Sequence, residues 1–213
     1  MAKILLFMTF FFCQSAFATT MKAYPNLPKF EGIDLAGGMT VHLVQGKSQN
    51  VSVSGPIDQL DCLKVNVEGE TLKISPSGKG WLFGLFGECD TDDISVKISA
   101  KKILEINAAG AVELVVENLN SDFLALDLAG SVKAQLSGVV HTFVLDAAGS
   151  ADVDAFELQT KTIKIASAGS VDAKINVKEA LSINVAGNGS VVYKGEPQDV
   201  QSNVTGSASV RRF

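Results

Sequence analysis

The residues of this chain that could do chemistry fall into lines rather than into one cluster. Asp127 and Asp146 each stand three residues before a glycine, and Asp152 and Asp172 each stand three after one. Carboxylates held about 5 Å apart on neighbouring strands could hold a cation, or share the acid and base work of glycan cleavage. Their equivalents weaken that reading: Asn107 and Ala166 flank the first line, Lys133 and Val192 the second, and Arg211 and Arg212 are the only arginines. Both lines read better as polar outer positions of alternating strands. Ser131, Ser150, Ser170, Ser190 and Ser207 form another line, each directly after a glycine. A nucleophile row would need a base, and His42 and His141 lie far apart in phase, so these serines read as bend residues. Glu88, Asp90, Asp92 and Asp93 could in principle supply oxygens to Ca²⁺, but the spacing fits no calcium loop and a solvated acidic loop suits them better. No catalytic constellation, metal site or cofactor site follows from these residues.

The elements that must position these lines come from a repeat. From residue 103 onward, glycines recur at Gly110, Gly130, Gly149, Gly169, Gly189 and Gly206, spaced by 20, 19, 20, 20 and 17 residues. Before each of the first five stand apolar pairs such as Leu104/Ile106, Leu124/Leu126, Phe143/Leu145, Ile163/Ile165 and Ile183/Val185; after them stand pairs such as Val112/Leu114, Val132/Ala134 and Val171/Ala173. Period-two alternation on both flanks predicts strands with one buried face, and a period of this size predicts stacked units. The glycines are expected at the corners, where positive φ or close approach to the next unit excludes a side chain. Upstream, Ile33/Leu35 and Met39/Val41/Leu43 surround Gly37 in the same phase. Val51/Val53, Leu63/Val65/Val67, Leu72/Ile74 and Ile94/Val96/Ile98 predict further, less regular strands, with a tight turn at Glu68-Gly69-Glu70.

The first 18 residues read as a secretory signal peptide: Lys3, an apolar run from Ile4 to Phe12, and Ala16-Phe17-Ala18 as the cleavage pattern. Residues 19–29 read as a linker and 30–213 as one domain. No second apolar run approaches the ~20 residues needed to span a bilayer. Loss of Lys3 with the leader moves the net charge from −5 to −6, which argues against a nucleic-acid partner. Export makes a structural disulfide the expectation for the two remaining cysteines, Cys62 and Cys89. Between them, Trp81, Leu82, Phe83, Leu85 and Phe86 lie among glycines with no charge. Such a segment suits either a cover over an end of the stack or a binding or self-association surface.

The run F-x-G-I-x-L-x-G-G-M-x-V-x-L from Phe30 to Leu43, the strands from Leu63 to Ile74 and the Gly-Ser ladder together resemble the putative auto-transporter adhesin, head GIN domain family. The likeness spans roughly residues 26–197. It implies an all-β fold, a right-handed parallel β-helix (β-solenoid) of about 20-residue rungs with a less regular β N-terminal part. It also implies an exported envelope or surface protein, and carries no catalytic residues. The expectation is a non-catalytic adhesin-like or envelope module, in the periplasm or on the cell surface, whose partner is a glycan or protein. Two other readings remain open: a polysaccharide-acting enzyme built on the Asp lines, and an assembly or sensing component that self-associates.

Overall fold

A computed structural model describes residues 19–77 and 90–213. Its elements are β1 (Thr20–Ala23), β2 (Gly32–Gln45), β3 (Asn50–Gly55), α1 (Ile57–Asp61), β4 (Leu63–Glu68), β5 (Thr71–Pro76), β6 (Ser95–Ala100), β7 (Glu105–Lys194) and β8 (Asp199–Arg212). The alternating segments upstream of the repeat form β2 to β6, and Gly69 (φ +63) turns the β4–β5 hairpin. β1 lies within the stretch that reads as linker and pairs antiparallel with β3.

The sheet is mixed. β2 runs parallel to β5, β6 and β7, and β7 parallel to β8. β1–β3, β3–β6 and β4–β5 are antiparallel. This corrects the expected right-handed parallel β-helix: the fold is all-β, but a curled, mixed half-barrel sheet. The physical reason lies in the N-terminal third. Its strands lack the 20-residue period, and a connection as short as Glu68–Thr71 can reverse the chain only into an antiparallel neighbour. β2 is the branch point. Its first arm, Gly32–Leu35, pairs with β5 and its second, Thr40–Gln45, with β6, while β7 follows the whole strand from Gly32 to Val44 on the other edge.

β7 is one continuous β stretch of 90 residues that bends repeatedly, so that successive units lie against each other. Gly110 lies on Gly37, Gly130 on Gly110 and Gly149 on Gly130: a Cβ added at these positions would meet the preceding glycine's carbonyl oxygen at 2.5, 2.6 and 2.5 Å. Such an approach leaves no space for a side chain, and φ there is +113, +101 and +112. The column then departs from the even spacing. Gly187, not Gly189, lies on Gly169 and under Gly206, whereas Gly189 lies on Val171 in an inward position of the preceding unit. One unit is therefore slipped by two residues relative to the sequence phasing, and Asn188, not Ser190, follows its corner glycine.

The core lies under the alternating apolar residues. Leu124, Leu126, Phe143, Leu145, Ile163, Val171, Ile175, Ile183 and Val185 are buried in line from unit to unit. A second bend, not visible in the glycine ladder, occurs at Asn118 (φ +60) and Gly138, whose added Cβ would fall on Leu119. Gln45 ties β2 to this bend: its amide donates to the Asn120 carbonyl at 3.0 Å and accepts from the Asn120 N–H at 2.9 Å.

A candidate binding groove beside the glycine corner

At the β7 corners three consecutive residues face solvent: an alanine, the glycine, and Ala111, Ser131, Ser150, Ser170 or Asn188 after it. Ala109, Ala129, Ala148, Ala168 and Ala186 form the first column, all exposed. Two residues earlier in each unit stands a column of polar residues, Asp34, Asn107, Asp127, Asp146 and Asn184, interrupted by Ala166. Side chains of one methyl beside longer polar ones leave a hollow between the columns. The result is a groove of about 880 Å³, lined by both columns and floored by Leu35, Ala108, Leu128, Ala147 and Ser167. It crosses seven strands from β5 through β2 and β7, which at a strand spacing of about 4.8 Å makes it roughly 29 Å long.

The polar column has its own internal order. Asn107 donates to Asp34 Oδ1 at 2.7 Å and to Glu105 at 3.0 Å. Lys73, in register with Asp34, closes one end and is itself held by Glu68 at 3.0 Å. That contact raises the Lys73 ammonium above its usual range and lowers the Glu68 carboxyl. In mid-groove the two carboxyls of Asp127 and Asp146 face each other. Partial burial raises the Asp127 carboxyl above the usual range, and the Asp146 charge, the Glu105 charge and a hydrogen bond to Asp146 add to the effect. Asn107 and Asn184 show that an uncharged amide suits the same column, so the carboxyl pair is a local departure toward hydrogen-bond acceptance. The floor holds one more polar group. Ser167 is 8% exposed, stands in the core-facing phase of Ile163 and Ile165, and its buried hydroxyl finds no partner among the described residues, an arrangement that costs about 1–3 kcal/mol.

The line after the glycines opens a second hollow of about 620 Å³, lined by Ser131, Ser150, Ser170, Glu113, Lys133, Asp152 and Asp172. Its serines directly follow the corner glycines and are exposed at the surface. Both aspartate lines therefore flank the glycine column, on opposite sides. His141 is elsewhere, paired with Asp122 at 2.8 Å. In the acidic loop, Asp90 accepts from the Asp92 N–H at 3.0 Å, and among the described residues no group of three or more potential ligands gathers there. Cys62 ends α1. Cys89, Glu88 and the segment carrying Trp81, Leu82, Phe83, Leu85 and Phe86 lie outside the described residues, as does the signal segment.

The sequence reading identified the Asp127/Asp146 line but missed the alanine column and Ser167. A signal was present, since alanine directly precedes Gly37, Gly110, Gly130, Gly149 and Gly169. Taking Gly189 as the next anchor hid Ala186 and Asn184, which belong to the same columns once Gly187 is the corner.

The described residues form a curled, mixed β-sheet that presents a long shallow groove beside its glycine corners. The chain belongs to the putative auto-transporter adhesin, head GIN domain family, which it matches over residues 29–197. Among solved structures, it is similar to a putative adhesin from Bacteroides fragilis NCTC 9343, at 20% identity and a TM-score of 0.71, covering 92% of this chain and 97% of that one. It is also similar to a putative lipid binding protein from Parabacteroides distasonis ATCC 8503, at 20% identity and a TM-score of 0.58, with 92% and 96% covered. A putative adhesin from the same strain matches at 18% identity and a TM-score of 0.52, with 92% and 97% covered. These likenesses establish a shared fold. No curated protein matches the chain. Among the described residues, no helix is long and apolar enough to cross a membrane.

Proposed function

We propose that the mature chain, released by cleavage after Ala18, is a non-catalytic adhesin-like module of the periplasm or cell surface that holds an extended glycan in the alanine-floored groove. The carrying observation is the groove itself: an apolar floor beside a column of hydrogen-bonding groups at strand spacing, interrupted only at Ala166. A linear polymer with a repeat near 5 Å can meet one side-chain acceptor in each unit except that of Ala166. Asp34, Asp127 and Asp146 outnumber Lys73, so the groove favours uncharged or amino-bearing sugars and opposes acidic ones. Trp81, Phe83 and Phe86 would offer a second contact by stacking, with Leu82 and Leu85 adding apolar surface. A bridge between Cys62 and Cys89, the pairing that an oxidising compartment favours, would brace that segment.

The test is binding of labelled mature protein to immobilised neutral, amino and acidic glycans, to lipid vesicles and to envelope extracts. It is run beside Ala148→Arg, which fills the groove. Saturable binding to a neutral or amino glycan, abolished by Ala148→Arg while the circular dichroism stays unchanged, is the expected result. Binding only to vesicles would replace the glycan by a lipid, and binding insensitive to Ala148→Arg would remove the groove from the function. Turnover of any glycan that is lost with Asp127→Asn would overturn the non-catalytic reading.

A further inference from the structure

We infer that β8 is a self-association edge, pairing antiparallel with β8 of a second copy about a two-fold axis at Thr205. The reasoning starts from what β8 leaves open. It pairs with β7 along Ala180–Tyr193, and among the described residues no strand pairs with its other side. Its core-facing residues complete the hydrophobic layer only halfway. Leu181 and Val185, one strand in, are 1% and 0% exposed, while their neighbour Val200 is 43% exposed and Val204, Ala208 and Val210 are half-buried. A long edge with an open apolar face invites another strand unless lysines, proline or a bulge protect it. β8 carries neither lysine nor proline, and from Val200 to Val210 it carries no charge at all.

The charges it does carry sit at opposite ends: Asp199 at one, Arg211 and Arg212 at the other. Arg212 is held by Glu196 at 2.8 Å, which leaves Arg211 for a partner. Parallel self-pairing would set like charges together. Antiparallel pairing sets Asp199 of one copy against Arg211 of the other, twice, as a two-fold contact requires. Strand parity agrees with this register. Asp199 and Arg211 lie on the outward face, and placing them opposite each other places Val200 opposite Val210 and Ser202 opposite Ala208 on the core-facing side. Thr205 then faces its own copy, and the bend at Gly206 falls next to the axis, so the two arms of each strand overlay those of the other. Such a closed contact yields a dimer rather than a fibre.

The experiment is sedimentation of the full mature chain across a wide concentration range, with four variants. The wild type is expected to form a reversible dimer. Asp199→Arg and Arg211→Asp are each expected to weaken it about tenfold or more, and the double variant, which restores opposite charges, to recover it. Thr205→Cys is expected to form an intermolecular disulfide under mild oxidation, since directly opposed Cβ atoms lie about 4.5–5.5 Å apart. A wild type that stays monomeric throughout overturns the proposal. So does a dimer indifferent to the charge variants, or one in which the double variant is weaker than either single. Neither the dimer nor its loss bears on groove binding, so the two readings fail separately.

Discussion

Replacing Gly130 by alanine tests the physical basis of the stack. Gly130 has φ +101, and an added Cβ would meet the Gly110 carbonyl oxygen at 2.6 Å and its nitrogen at 3.1 Å. Two costs follow. Holding a non-glycine residue in that backbone region costs about 1–3 kcal/mol. Relieving the contact moves one unit off the next by about half an ångström, which weakens adjoining ladder bonds worth about 1 kcal/mol each. Alanine also narrows the unfolded ensemble, which returns about 0.4–1 kcal/mol. The sum is a destabilisation of about 2–4 kcal/mol, a large part of the roughly 5–15 kcal/mol that holds a domain of this kind. Gly69→Ala is the matched control. Gly69 also has positive φ (+63), but nothing lies within 4 Å of its added Cβ, so only the backbone cost of about 1–2 kcal/mol applies. Urea denaturation of both variants, with the slope compared as well as the midpoint, separates close approach from backbone strain. Equal losses for the two glycines would refute the claim that direct contact between units, rather than local conformation, demands glycine at the corner.

Two further outcomes follow from the groove and the cysteines. Because the folded state raises the Asp127 carboxyl, folding takes up protons there, and wild-type stability falls as pH rises from the unfolded carboxyl's range through the raised one. Asp127→Asn removes that dependence, so the melting-temperature difference between variant and wild type should grow in the variant's favour as pH rises through this interval; a difference flat with pH counts against the carboxyl pair. For the proposed bridge, intact-mass measurement after alkylation without reductant should find no modified thiol, and Cys62→Ser should lower stability by about 3–4 kcal/mol on the loop-entropy account. Alkylation at Cys62 in the native, unreduced protein would remove the bridge.

The strand positions were legible because a two-residue alternation between Val, Ile, Leu and polar residues has only one regular solution, and it recurs at Leu124/Leu126, Phe143/Leu145 and Ile163/Ile165. Burial of those pairs follows from the pattern alone. The glycine corners were legible for the same reason, up to Gly169. Beyond it, two glycines two residues apart compete for one corner, and local spacing cannot choose between Gly187 and Gly189. Only the register against Gly169 and Gly206 decides, because the carbonyl of the unit below is what excludes a side chain.

Pairing direction was likewise a tertiary matter. Strand patterns look alike whether a neighbour runs parallel or antiparallel, so the parallel β-helix implied by the family likeness, with its less regular N-terminal part, did not anticipate the antiparallel pairs β1–β3, β3–β6 and β4–β5. The groove shows the same division. The sequence by itself determined that Asp127 and Asp146 share a phase, and that alanine precedes most corners. Three-dimensional stacking decided that these become two adjacent columns, that Asp34, Lys73 and Asn184 join them from distant parts of the chain, and that Ser167 is left buried without a partner among the described residues. The physical reason is that an alternating strand specifies which face a residue takes, while the residues beside it on that face are set by the register of strands about twenty residues or more away.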